Sequence, residues 1–314
     1  MRVSESGLGC GPGGSGLRGW PLCEGRLLPR ADLQTATEYS HRLLASVVTV
    51  LLIAIVWQAM RHFRDRRGLL AASVAALALL LVQAGLGGLT VEYGLDSALV
   101  AAHLGAAMLL LATLIGISAA ARMPRADPDL RPRLTAGLLA CVLLLATIVA
   151  GGVVAGSERH GAQANGAAEP GAHYACGMEF PTCGGAFLPF GRSEPVDIQL
   201  AHRGLMFLAV AAIAAFALLL GRRPGMRRLA AAIVAVLAIQ VALGALNVWL
   251  DPSQLLVLAH LTVATLLWGL VVSATVLSDW RPPARDPLTG DTAWGRLAAP
   301  APSLGSLPSP ERSG

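Results

Sequence analysis

The sequence predicts an all-α integral membrane protein with seven transmembrane helices, arranged as two pseudo-symmetric four-helix-bundle repeats of which the first lacks its opening helix. Three observations predict this: scarce charge, seven long apolar stretches, and polar landmarks that recur at a nearly constant offset. Only 14% of the 314 residues are charged, against roughly 25% in a soluble domain. Mean hydropathy is +0.61. So large a deficit means that much of the surface does not face water.

The apolar stretches run over about 38–60, 69–90, 97–121, 133–155, 197–220, 227–249 and 254–278. Each is long enough to cross a bilayer, which takes about 20 residues, and none carries an internal Pro. In lipid such segments must be helices, because a lone helix satisfies its own backbone hydrogen bonds. The net charge of +5 comes from Arg alone, since the chain has no Lys. The arginines cluster in alternate loops: Arg61, Arg64, Arg66 and Arg67, then Arg122, Arg125, Arg131 and Arg133, then Arg222, Arg223, Arg227 and Arg228, then Arg281 and Arg285. That is a topology signal and not a nucleic-acid footprint. It predicts a cell-membrane protein with the Arg-rich side cytoplasmic, the N-terminal segment and the long loop 156–196 outside, and the C-terminus inside. Residues 1–37 then form an outer segment, 38–121 a first half-bundle, 122–280 a four-helix bundle, and 281–314 a Pro/Ser/Gly-rich disordered cytoplasmic tail. Met1 to Arg30 lack the apolar core of a cleavable signal peptide.

The repeat rests on three landmarks. EYSHR (38–42) parallels QLAHR (199–203), QAGLGGLTV (83–91) parallels QVALGALNV (240–248), and AHL (102–104) parallels AHL (259–261). The offsets are 161 residues from His41 to His202, 157 from Gln83 to Gln240 and 157 from His103 to His260. Near-constant offsets predict a duplicated unit. The stretch 133–155 opens the second unit and ends in VVAGSE (153–158), which the opening residues MRVSESG resemble. The expectation is a protein of four plus four helices whose first helix is missing from this chain.

Four of the seven histidines, His41, His103, His202 and His260, fall inside apolar stretches, all near the outer end. Ionisable groups in a membrane are costly and usually functional. One such histidine alone is as well read as a hydrogen bond between helices, but four at repeat-equivalent positions predict ligand binding. Paired imidazoles ligate haem iron or another metal, whereas di-metal bundles use carboxylates; haem is the expected ligand. Gly85, Gly87, Gly88 and Gly244 allow a ring or a helix to approach closely. His62, His160 and His173 lie in loops and read as solvated.

The halves differ at one position. Glu38 sits three residues before His41, where Gln199 precedes His202. A carboxylate beside a bound macrocycle can move protons or stabilise charge, and an amide cannot. The first site then does chemistry and the second holds a cofactor; the alternative is that Glu38 favours the start of its helix. Arg42 and Arg203 are candidate partners for haem propionates or ordinary interfacial arginines. Cys10 with Cys23, and Cys176 with Cys183, occupy equivalent outer segments where disulfides form, as loop staples or as redox-active pairs. Cys141, mid-span, reads as a small core residue without a partner.

Over about residues 1–280 the chain resembles the haem A synthases of the CtaA type. The carriers are SGLGC (6–10), WPLC (20–23), EYSHR (38–42), QAGLGGLTV (83–91), His103, the Cys176/Cys183 pair, QLAHR (199–203) and His260. The resemblance implies oxidation of the C8 methyl of haem O to a formyl group, giving haem A for cytochrome oxidase. It implies haem b held by His202 and His260, haem O flanked by His41 and His103, Glu38 as catalytic acid, and a disulfide between Cys10 and Cys23. The stretch Gly11–Gly16 departs from the family pattern as an insertion between those cysteines. Implied partners are haem O, membrane lipid, a haem O synthase, an electron donor or acceptor and further copies of the chain, with no nucleic acid. Two other functions suit the histidines alone: a di-haem b electron-transfer protein linked to quinol, and a haem carrier or assembly protein.

Overall fold

The computed structural model describes residues 33–92, 96–122, 131–157, 171–250 and 254–278. The tail 281–314 and the Cys10/Cys23 segment lie outside the described residues. Within them are seven helices: α1 (Leu33–His62), α2 (Arg67–Glu92), α3 (Ser97–Arg122), α4 (Arg131–Ser157), α5 (Glu194–Gly221), α6 (Arg227–Trp249) and α7 (Gln254–Ser278). Every one contains a stretch of 23 to 28 residues apolar enough to cross a membrane. The chain is an all-α, multi-pass membrane protein, as its charge deficit predicts.

Helices α1 to α5 extend their apolar stretches by one to five residues at one or both ends, α6 and α7 coincide with theirs, and the helix ends explain where several of them stop. Asp96 accepts hydrogen bonds through Oδ1 from the backbone N–H of Ala98 and Leu99, at 3.0 and 3.2 Å, and so caps α3. The start of α5 carries a proline in its first two positions and Glu194 and Asp197 in its first turn, which suits the positive helix end. α1 ends on Arg61 and His62, suited to the negative end. Large apolar side chains such as Leu44, Val50, Leu81, Val142 and Leu218 are exposed. In lipid that exposure has no hydrophobic cost.

α4 packs against α3, α5 and α7, and α3 also touches α7. The main core lies among these helices and α6, around Leu144, Ile213, Phe216, Ile233, Leu267, Trp268 and Val271. A smaller core joins α1, α2 and α3 through Leu52, Leu69, Ala76, Leu80 and Leu110. Because lipid tails are as apolar as leucine, close contact rather than water exclusion holds such helices together. The α3–α4 seam shows how. A methyl group at Gly105 would lie 3.0 Å from Val149, one at Gly152 would lie 3.0 Å from the Ala101 Cα, and one at Gly156 would meet the Ser97 Cα. Across the core, Trp268 Nε1 donates a 2.8 Å hydrogen bond to the Met108 carbonyl, tying α7 to α3. Cys141 is half-buried with its Sγ 3.6 Å from the Thr275 hydroxyl, so it has a polar neighbour that its place in the sequence does not reveal.

Residues 171–193 form a turn-rich segment closed by a Cys176–Cys183 disulfide, with both cysteines buried against Val196 and Leu200 of α5. The segment folds back over the helix ends. Ala172 N–H donates to Ser157 Oγ at 3.1 Å, and His173 Nε2 donates to the Asn247 carbonyl at 2.9 Å. His173 is therefore half-buried and not the solvated loop residue that its sequence context suggests. His62 is exposed, as expected, and His160 lies outside the described residues.

Candidate functional site

The four membrane histidines occupy matching depths. His103 and His260 are each the seventh residue of their helix, α3 and α7, while His41 and His202 are each the ninth of α1 and α5. Equal depth puts the imidazoles in one layer of the bundle, six to eight residues below the helix starts.

In the first half, the rings of His41 and His103 lie with centroids 6.4 Å apart and planes at 70°. They are close enough to share one ligand and too far apart for a ring-to-ring hydrogen bond. Gln83 on α2 holds His103 twice. The His103 Nδ1–H donates to the Gln83 carbonyl at 3.1 Å, and the Gln83 side-chain amide donates to His103 Nε2 at 3.1 Å. Pinning Nδ1 selects the tautomer whose lone pair sits on Nε2, the usual arrangement of a metal-ligating histidine.

In the second half, His202 Nδ1–H donates to the Thr147 carbonyl of α4 at 3.0 Å, again leaving Nε2 as the lone-pair nitrogen. His260 Nε2 accepts from the Gln240 amide at 3.2 Å, and its Nδ1 is buried without a partner. The Gln83–His103 and Gln240–His260 pairs have the same sequence separation of 20 and nearly the same length. His202 lies within electrostatic range of His260, and His173 of the 171–193 segment lies within range of both.

Three of the rings rest on glycine. A methyl group at Gly87 would sit 3.0 Å from the Cε1 of His103, one at Gly151 would sit 3.1 Å from that of His202, and one at Gly244 would sit 3.1 Å from that of His260. The missing side chain lets the imidazole lie against the neighbouring helix backbone. Gly87 and Gly244 stand out in the sequence as members of Gly-rich runs, whereas Gly151 belongs to a helix that the repeat alone could not connect to His202. A methyl group at Gly85, by contrast, would meet nothing within 4 Å, so Gly85 seats no ring.

Above the second pair, α5 carries an unusual charge. Arg203 is only 2% exposed. One guanidinium N–H donates to the Thr182 carbonyl at 2.7 Å, and the group lies 5.7 Å over the Phe180 ring. Its Nε and Nη2 have no partner, nor does the Oε1 of buried Gln199. Buried donors without acceptors are rare and costly, so this guanidinium is suited to an anionic group. Arg42, its counterpart, is half-buried on α1. Glu38 is the sixth residue of α1, as Gln199 is the sixth of α5. The side chain of Glu38 lies outside the described residues.

Chemically, each half offers two imidazoles, and among the described residues no three His, Cys, Asp or Glu side chains converge on one point. Such a donor set suits a metal that brings its other ligands with it. Sequence reasoning finds the imidazoles but misses their partners Gln83, Gln240 and Thr147, and misses His173, because each contact spans 20 or more residues.

Heme A synthase of Symbiobacterium thermophilum is 30% identical over 280 residues, 85% of each chain. The heme A synthase of Alkalihalophilus pseudofirmus is 27% identical over 205 residues, 64% of this chain and 63% of that one. That of Bacillus pumilus is 38% identical over 120 residues, 35% of this chain and 36% of that one. Against the latter two, the chain spans less than two thirds of the relative's length. A family model described as COX15-CtaA, cytochrome oxidase assembly protein, matches residues 30–272. The chain belongs to the COX15-CtaA family of cytochrome oxidase assembly proteins.

Proposed function

We propose that the protein is a haem A synthase, an oxidoreductase that converts the C8 methyl of haem O to a formyl group and so supplies haem A for cytochrome oxidase. The observation that carries this reading is the pair of imidazole sites: four histidines at matched depth, three of them seated on glycine, in a chain related to heme A synthases. Haem b is the resident cofactor of the second site. The residues there fit it: His202 presents a lone-pair Nε2, His260 of α7 lies within electrostatic range of it, and the unpartnered nitrogens of Arg203 suit a propionate. Bound haem b supplies one-electron redox chemistry.

Haem O is the substrate of the first site, between His41 and His103, with Arg42 as the corresponding anchor. Glu38, on the α1 face that carries His41, acts as the acid that moves protons at the reacting carbon. Two hydroxylations and loss of water turn methyl into formyl. Each hydroxylation takes its oxygen from one water and releases two protons and an electron pair, and both pairs leave to an external two-electron oxidant, such as a membrane quinone reduced to quinol or dioxygen reduced to peroxide. The Arg-rich loops face the cytoplasm, which sets both sites near the outer face of the cell membrane. There the enzyme meets a haem O synthase and its redox partner, alone or as a homo-oligomer, and Cys10 and Cys23 form a second outer disulfide.

The test is expression in cells that make haem O, followed by extraction and chromatography of the haems. Haem A or hydroxylated haem O is the expected product, and Glu38→Ala is expected to abolish it while leaving bound haem b in place. His202→Ala is expected to lose one bound haem. Two permanently bound haems b with no new haem species would instead mark an electron-transfer protein, and an exchangeable haem without turnover would mark a carrier.

A further inference from the structure

We propose that Gln83 and Gln240 are exchangeable caps on the ligand nitrogens of His103 and His260, which compete with iron for one lone pair and thereby set how readily each site takes up and releases haem. The proposal rests on the reading of both sites as haem sites.

A neutral imidazole has a single ring nitrogen with a free lone pair. On His103 that nitrogen is Nε2, because Nδ1–H is committed to the Gln83 carbonyl. The Gln83 side-chain amide donates to the same Nε2 at 3.1 Å, and the Gln240 amide donates to His260 Nε2 at 3.2 Å. An amide hydrogen and a metal cannot both occupy that lone pair, so ligation at Nε2 requires the glutamine to move. The glutamines are poorly satisfied where they stand. The Oε1 of each is buried without a hydrogen-bond partner. A buried amide acceptor left unpaired is costly, and finding the same defect at both positions marks a side chain with a second position to go to.

The two caps differ in what they leave behind. Swinging Gln83 away frees the nitrogen of a ring still oriented by its Nδ1 bond. Swinging Gln240 away frees a ring whose Nδ1 has no partner. The first site is thereby prepared for repeated exchange, as a substrate site needs. At the second, the glutamine is what orients the His260 ring by hydrogen bonding among the described residues, so reorientation accompanies uptake.

The test uses the full-length protein with each glutamine changed to Met, which keeps the length but cannot donate, and separately to Asn, whose amide is one methylene too short. To isolate the sites, Gln83 variants are made with His202→Ala and Gln240 variants with His41→Ala. Haem is stripped, and ferric haem b is titrated back while Soret absorbance reports affinity and, in stopped flow, uptake rate. Removing one competing hydrogen bond is expected to tighten binding about five- to tenfold and to speed uptake in both variants. Unchanged or weaker binding, or loss of helical structure in both variants, overturns the proposal, because a merely structural glutamine predicts those results. Absence of a Soret band in the unsubstituted chain is a different failure and removes the haem reading beneath it.

Discussion

A single methyl group decides the geometry at three of the four histidines. Gly151→Ala would place a Cβ 3.1 Å from the Cε1 of His202, so the ring must yield by a few tenths of an ångström or lose its bond to the Thr147 carbonyl. Partners that orient a metal-ligating histidine are worth about 10- to 100-fold in affinity. Gly151→Ala is therefore expected to lower haem b affinity by about that range, with a shifted Soret maximum, while Gly85→Ala, which meets nothing within 4 Å, changes neither. Equal affinity in the two variants would show that the ring is not held by that contact. At this scale the sequence is unevenly legible. The histidines stand out because a titratable group inside an apolar run is conspicuous. Their partners do not, because a glutamine or a glycine in a helix is unremarkable until the fold brings it to a ring 20 or 51 residues away.

Among the helices, the apolar pattern locates all seven elements and matches both ends of α6 and α7, but places most ends of the other five short by one to five residues. α1 is expected over 38–60 and runs over Leu33–His62; α5 is expected over 197–220 and runs over Glu194–Gly221. Hydropathy marks the lipid-facing part, whereas backbone hydrogen bonding carries the helix on into polar residues. Helix contacts are less legible, since every face is apolar and periodicity names no partner. The bond from Trp268 Nε1 to the Met108 carbonyl is one such contact, joining α7 to α3 across 160 residues. Interhelical hydrogen bonds in membranes average about 0.6 kcal/mol and reach about 1.7 kcal/mol. Trp268→Phe, which keeps an aromatic ring and removes the donor, is expected to lower unfolding free energy by that amount in mixed detergent micelles. An unchanged unfolding midpoint would mean that packing alone joins these helices.

For the molecule as a whole, sidedness is what links the arginine pattern to the chemistry. All four histidines lie near the starts of α1, α3, α5 and α7, on the side of the bundle where residues 171–193 fold over α5 and α6. Arg61, Arg64, Arg66 and Arg67 lie around the other end of α1. Loops rich in Arg are usually retained in the cytoplasm, and the proposed orientation accordingly sets the disulfide-closed segment and both imidazole pairs on the outer side, where a disulfide persists. Met178 is 70% exposed in that segment, and Arg64 is exposed in the opposite loop. In intact cells, a membrane-impermeant thiol reagent is expected to label Met178→Cys above the level of the parent chain and to label Arg64→Cys only after the membrane is opened. The native Cys176 and Cys183 are joined to each other, and Cys141 is half-buried within a span, so none of the three supplies that signal. The reverse pattern would set the imidazole layer against the cytoplasm and overturn the outer-face placement of both haem sites. It would leave the ring geometry untouched, because that geometry comes from the helix contacts and not from the direction of insertion.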